Sequence, residues 1–125
     1  MPAKAPFTKR LKEARKRAGL TQQQLGLFAG LDEDNAGAKM NQYEQGVHIP
    51  KFPRLKNIAS ALKVSTAYFY AESDELAELL YHYEKLSKKE RQNIIKKIKW
   101  IESISNIEPG MHGPKFENLE KLLTH

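Results

Sequence analysis

The side chains in this sequence best able to make directional contacts to a polyanion fall in its first half. Gln22 and Gln23 follow Thr21; Asn35, Ala38, Lys39, Asn41 and Gln42 lie within one short stretch; His48 and Lys51 follow Gly46; Lys9 and Arg10 lie near the start. An amide such as that of Gln42 can pair bidentately with adenine, a lysine such as Lys39 can donate to guanine O6 and N7, and the Ala38 methyl can touch a thymine methyl. Lys9, Arg10, His48 and Lys51 suit phosphate oxygens, contacts that add affinity without sequence information. Gln22 and Gln23 suit a phosphate at the exposed amides of a helix start. Other chemistries have no footing. The absence of cysteine excludes disulfides, thiolate metal sites and thiol nucleophiles. His48, His82, His112 and His125 form no pair at the helical spacing of a metal site. Ser60, Ser65 and Ser73 read as caps or core-edge residues, with no Ser-His-acid arrangement legible from spacing. Neither catalysis, a metal nor a cofactor is expected.

The elements that must carry these residues read as helices almost throughout. A first helix is expected from Thr8 as N-cap to Gly19 as stop, with Phe7, Leu11, Ala14 and Ala18 on one side and basic residues on the other. Thr21 to Gln24 has the form of a capping box, which predicts a second helix over about 22–29 with Leu25 and Phe28 inward. The acids Asp32, Glu33 and Asp34 fit a helix N-terminus, so a third helix is expected to follow, to about Glu44, with Met40 and Tyr43 turned to the core and Gly46 as its stop. Pro50 forbids helix at Ile49, and Pro53 suits the first turn of a fourth helix whose Leu55, Ile58, Ala59 and Leu62 form a stripe. Ser65 is expected to cap a fifth, ending near Tyr70.

Beyond Ala71 the helices lengthen. Ser73 is expected to cap one presenting Leu76, Leu79, Leu80, Tyr83 and Leu86, close to a heptad seam. Ser87 to Glu90 is a second capping box, opening a helix with Ile94, Ile95, Ile98, Ile101 and Ile104 along one side. Residues 108–114 read as a break, and Phe116 to Leu123 as a short final helix.

The chain has 125 residues with a formal charge of +6, a size for one domain plus an appendage and a balance that favours polyanionic partners. The charge is uneven. Residues 1–70 hold twelve basic and five acidic residues, net +7, and residues 71–125 hold nine and ten, net −1. That asymmetry suggests a nucleic-acid module followed by something else. No stretch approaches the roughly 20 apolar residues of a membrane span, and the charged start lacks a signal-peptide core, so a cytoplasmic protein with no membrane partner is expected.

Three segments taken together carry a resemblance: Arg10-Leu11-Lys12-Glu13-Ala14-Arg15, then Ala18-Gly19-Leu20-Thr21-Gln22-Gln23-Gln24-Leu25, then Met40-Asn41-Gln42-Tyr43-Glu44-Gln45-Gly46, followed by Pro50, Leu55, Ile58, Ala59, Leu62, Val64 and Ser65. In order and spacing, Arg10 to Tyr70 resembles the phage-repressor and Cro type of helix-turn-helix domain, the XRE family of transcriptional regulators. The resemblance implies a five-helix lambda-repressor-like domain over residues 1–71; with the helices read beyond it, an all-α fold with a helical C-terminal extension over 72–125 is expected. It implies that the third helix enters the major groove, and that Arg15 pairs with Glu44 as a structural ion pair. One departure stands out. Gly30 to Tyr43 spans several residues more than is commonest in the family, so residues 31–38 either extend the third helix or lengthen the turn before it. The three acids would repel phosphate and are expected to face away from DNA.

The apolar stripes beyond Ala71 exceed what one copy of such a domain needs, and exposed stripes of that width mark association. A homodimer through residues 73–107 is expected, placing two third helices on a palindromic operator about one helical turn apart. The sequence therefore reads as a bacterial or phage double-stranded DNA-binding transcriptional regulator, a repressor by its steric mode of action. The alternative is an antitoxin or controller whose C-terminal helices grip a partner protein. A ligand-responsive regulator ranks lower, because some fifty residues are few for an enclosed pocket around Tyr81, Tyr83 and Trp100.

Overall fold

Phe7 opens the first helix because the chain can bury it there. The computed structural model describes residues 6–106 and begins with α1 over Phe7–Arg17, where Phe7, Leu11 and Ala14 recur at three- and four-residue steps and are all buried. Thr8 lies inside α1 rather than capping it; the preceding residue is Pro6, which makes no side-chain cap. Ala18 is exposed, since the chain leaves the helix there, and Gly19 takes the left-handed conformation (φ 71°) that ends it.

Helix α2 spans Gln22–Phe28. Its capping box is complete: the Thr21 hydroxyl accepts from the Gln24 N–H and the Gln24 side chain accepts from the Thr21 N–H. Leu25 is fully buried, but Phe28, expected inward, is 67% exposed, because Ala29 and Gly26 occupy the contact positions on that side.

Helix α3 spans Ala36–Gln45. The acids at 32–34 do not form its first turn. They sit in a tight turn in which the N–H groups of Asn35 and Ala36 both donate to the Asp32 carbonyl, so the extra residues lengthen the turn. Close packing of α2 on α3 fixes where α3 starts: a Cβ on Gly26 would meet the Ala36 carbonyl oxygen at 2.6 Å, so only glycine admits Ala36 this near. Met40 and Tyr43 are buried, and Gly46 (φ 75°) ends the helix, with the Val47 N–H donating to the Gln42 carbonyl.

Helix α4 spans Phe52–Leu62, with Pro53 in its first turn and Leu55, Ile58, Ala59 and Leu62 buried. The fifth, short helix is a 3-10 helix over Thr66–Tyr70 that buries Tyr68 and Phe69; Ser65 stands at its N-cap position, but its side chain makes no cap hydrogen bond. Helix α5 spans Asp74–Tyr83, capped by the Ser73 hydroxyl on the Leu76 N–H. Helix α6 spans Lys88–Ser105, opened by the Ser87 and Glu90 capping box.

The described residues are all-α, a lambda-repressor-like helix-turn-helix bundle with helices following it. The chain divides into two compact units at Lys85 and Leu86. In the first unit, α5 is bound to the bundle by Ala77, which is buried, and by Leu80 and Tyr81, which pack on the core. In the second, α6 holds no buried residue, and Ile95, Ile98, Ile101 and Ile104 are exposed. The expected break at 108–114 and the helix at 116–123 lie outside the described residues. Among the described residues no helix is long and apolar enough to cross a membrane.

Candidate nucleic-acid interface

Helix α3 buries Ala36, Met40, Tyr43 and Glu44 and turns Ala38, Lys39, Asn41 and Gln45 to solvent, with Gln42 half-exposed. A helix of this length, about 15 Å, thus presents short polar side chains and one lysine along a single face. Asn35, at the N-cap position, is exposed beside them.

An ion pair behind that face holds its C-terminal end. Arg15 Nε donates to Glu44 Oε2 at 2.6 Å and Nη2 to Oε1 at 3.1 Å, while Nη1 donates to the Leu20 carbonyl at 2.9 Å. The Glu44 side chain is 2% exposed and that of Arg15 13%. Gln22 joins the pair, its Nε2 donating to Glu44 Oε1 at 3.2 Å and to Asn41 Oδ1 at 3.1 Å. The first residue of α2 is therefore tied to the exposed face of α3. Gln23 is engaged as well, with Nε2 donating to the Glu33 carbonyl at 3.0 Å and Oε1 accepting from the Gly37 N–H at 2.8 Å.

Lys39 lines an open cleft together with Asn35, Tyr43, His48, Lys51 and Arg54. His48 and Lys51 are exposed. Arg54 is half-buried and its Nη1 donates to the Ala29 carbonyl, which ties α4 to the end of α2. Asp32, one of the three acids expected to face away from DNA, lines the same cleft.

The basic face of α1 is arranged differently from its sequence pattern. Arg10, expected among the phosphate contacts, is 2% exposed; its Nε donates to the Ala71 carbonyl at 3.0 Å and its Nη1 to Asp74 Oδ1 at 2.7 Å. Its guanidinium joins α1 to α5 and is out of reach of a phosphate, because burial demanded a carboxylate and a carbonyl as partners. Lys9 keeps an exposed side chain but also pairs with Asp74, at 3.0 Å. Arg17 pairs with Glu78 at 2.9 Å and lies 3.7 Å from the centre of the Tyr81 ring, with Lys85 3.5 Å from the same ring. The Arg10 and Lys9 hydrogen bonds hold the Asp74 carboxyl below its ordinary value, and Arg17 and then His82 do the same for Glu78. Nothing in the local sequence of α1 foretells these partners, which lie more than sixty residues away. Among the described residues no group of histidines, aspartates and glutamates is arranged to hold a metal ion.

No protein-family profile and no curated protein matches the chain. A solved structure does: the crystal structure of the transcriptional regulator BswR is 41% identical in sequence, covering 74% of this chain and 92% of that one, with a TM-score of 0.69. With most of that regulator's length matched at this identity, the chain belongs to the family of the transcriptional regulator BswR.

Proposed function

We propose that the protein is a sequence-specific double-stranded DNA-binding transcriptional regulator of the XRE type, a cytoplasmic repressor of a bacterium or phage that acts as a homodimer on a palindromic operator. The face of α3 carries this reading. Ala38, Lys39, Asn41 and Gln42 stand outward on a helix whose other side is fixed by Met40, Tyr43 and the Arg15 and Glu44 pair. That is what a helix reading base edges in the major groove requires. His48 and Lys51 flank it as phosphate contacts, and Lys9 contributes only where phosphate competes with Asp74. Family membership alongside a transcriptional regulator supports the same reading. Repression follows from occupancy of the operator.

The homodimer is supported by the apolar residues left exposed, Leu76 and Leu79 on α5 and Ile95, Ile98, Ile101 and Ile104 on α6. A symmetric pairing would set two α3 helices about 34 Å apart, one turn of B-DNA.

The test is selection of bound fragments from random duplex DNA at about 150 mM salt, where specificity rather than bare affinity is read. The expected result is an enriched inverted repeat with half-sites near one turn apart. No enrichment, with binding that vanishes as salt rises, would refute the regulator. A solution mass equal to one 14.3 kDa chain would refute the homodimer and leave the α6 stripe to a different protein, as in an antitoxin or controller.

A further inference from the structure

We propose that Gln23 is the positioning residue for the N-terminal, base-reading end of α3, a role that rests on the DNA-binding function proposed above. A helix start leaves backbone N–H groups without an intrahelical acceptor. In α3 the N-cap residue Asn35 offers no side-chain acceptor to them. The acceptor comes instead from another helix: Gln23 Oε1, on α2, takes the Gly37 N–H at 2.8 Å. The other end of the same amide donates to the Glu33 carbonyl at 3.0 Å. One side chain thus caps α3 from outside and ties the lengthened turn to α2. Its orientation is fixed, because turning the amide over would set donor against donor at Gly37 and acceptor against acceptor at Glu33.

Gly37 completes the device. A Cβ there would stand 2.9 Å from Gln23 Oε1 and 3.7 Å from the Gln23 Cα and Cβ. A methyl there would press on that amide oxygen and make it shift; glycine, otherwise unfavourable inside a helix, leaves it in place.

The consequence is local to one end of α3. The extra residues at 31–35 add freedom just where Asn35, Ala38 and Lys39 are presented, and Gln23 removes it. The far end of α3 is held separately by Arg15, Glu44 and the Gly46 stop. Loss of Gln23 therefore disturbs the bases read by the first half of the helix and spares those read by Gln42.

The experiment is duplex-DNA selection and titration with the full chain, comparing wild type, Gln23→Ala, Gln23→Glu, Gly37→Ala, the Gln23→Ala/Gly37→Ala double variant and Lys39→Ala, with helical content and Tm recorded for each. Gln23→Ala is expected to lower the ratio of operator to random-DNA affinity about fivefold, the population effect of losing a helix cap. The lost preference is expected to fall at the base pairs also lost in Lys39→Ala. Gln23→Glu keeps the acceptor for the Gly37 N–H but sets a carboxylate oxygen against the Glu33 carbonyl, so it is expected to recover only part of the ratio. Gly37→Ala is expected to mimic Gln23→Ala in the wild-type background, yet to add no further loss in the Gln23→Ala background, where the collision is gone.

A Gln23→Ala variant with the wild-type consensus and ratio would overturn the role. So would equal loss on operator and random DNA with a salt slope smaller by about one, since that marks a phosphate contact. If the wild-type chain itself enriches no sequence, the DNA-binding reading fails and this role fails with it.

Discussion

Glu44→Gln preserves the size of a side chain that is almost fully buried while removing the charge that Arg15 was folded against. The wild-type carboxylate accepts from Arg15 Nε at 2.6 Å, Arg15 Nη2 at 3.1 Å and Gln22 Nε2 at 3.2 Å. An amide has a single acceptor oxygen, and its NH2 must face one of those donors. Removing one partner of a buried ion pair costs about 3–5 kcal/mol. Arg15 keeps its bond to the Leu20 carbonyl and is 13% exposed, which places the expected loss at the lower end, about 3 kcal/mol. For a unit of this size each kcal/mol moves Tm by about 4–8 °C, so a fall of roughly 12–24 °C is expected. Urea unfolding followed by circular dichroism measures it, on Glu44→Gln, Arg15→Met and the pair together. The double variant leaves no stranded charge and is expected to cost less than either single change. A loss below about 1 kcal/mol for Glu44→Gln, or strictly additive costs in the double, would refute the argument that this pair holds α3.

The carboxyls of Asp74 and Glu78 are held below their ordinary values of 3.8 and 4.5 by α1 cations; a depressed folded value gives stability that is present above the unfolded one and lost as pH falls through the folded one. The hold of α5 on α1 is therefore expected to weaken below about pH 4, and Asp74→Asn to flatten the acid limb of Tm against pH; an unchanged limb would refute this. Gln42→Ala is expected to reduce the ratio of operator to random-DNA affinity, whereas Lys51→Ala weakens both alike with a salt slope lower by about one. Equal losses for the two would remove Gln42 from base reading. If the proposed homodimer forms, Ile98→Glu, on a residue 42% exposed on α6, is expected to reduce the solution mass measured by light scattering to that of one chain; a mass equal to wild type would take Ile98 out of the proposed seam.

What the sequence makes legible here is what one helical turn decides. The capping boxes at Thr21 and Ser87, the Ser73 cap, the stop at Gly46 and the buried stripe of α4 each depend on residues three to four apart, and each stands where the spacing puts it. The start of α3 does not: Asp32, Glu33 and Asp34 lie in a turn closed on the Asp32 carbonyl, and Ala36 packs against Gly26 of another helix. Phe28 was expected inward, but the buried positions of α2 and its C-cap are Leu25, Gly26 and Ala29, and Phe28 lies outside that arc. Arg10 is the sharpest case. Within α1 it belongs to a basic run, and only the fold brings Asp74 to it.

That last point changes what the charge count means for the proposed function. Residues 1–70 carry a net +7, a figure that invites a broad electrostatic footprint on DNA. Yet Lys9, Arg10, Arg15 and Arg17 are each committed to a carboxylate, three of them on α5 and one to Glu44. Of the four side chains expected at phosphate, Lys9 and Arg10 thus pair with Asp74 and join α1 to α5. The cleft beside α3 is lined by Lys39, His48, Lys51 and the half-buried Arg54, with Asp32 among them. Each phosphate neutralised contributes about 0.9 to the slope of log affinity against log salt. The proposed regulator therefore draws less of its affinity from phosphate, and more from the face of α3, than its net charge suggests. Discrimination then depends on how firmly that helix is held at both ends, by Glu44 at one and Gln23 at the other.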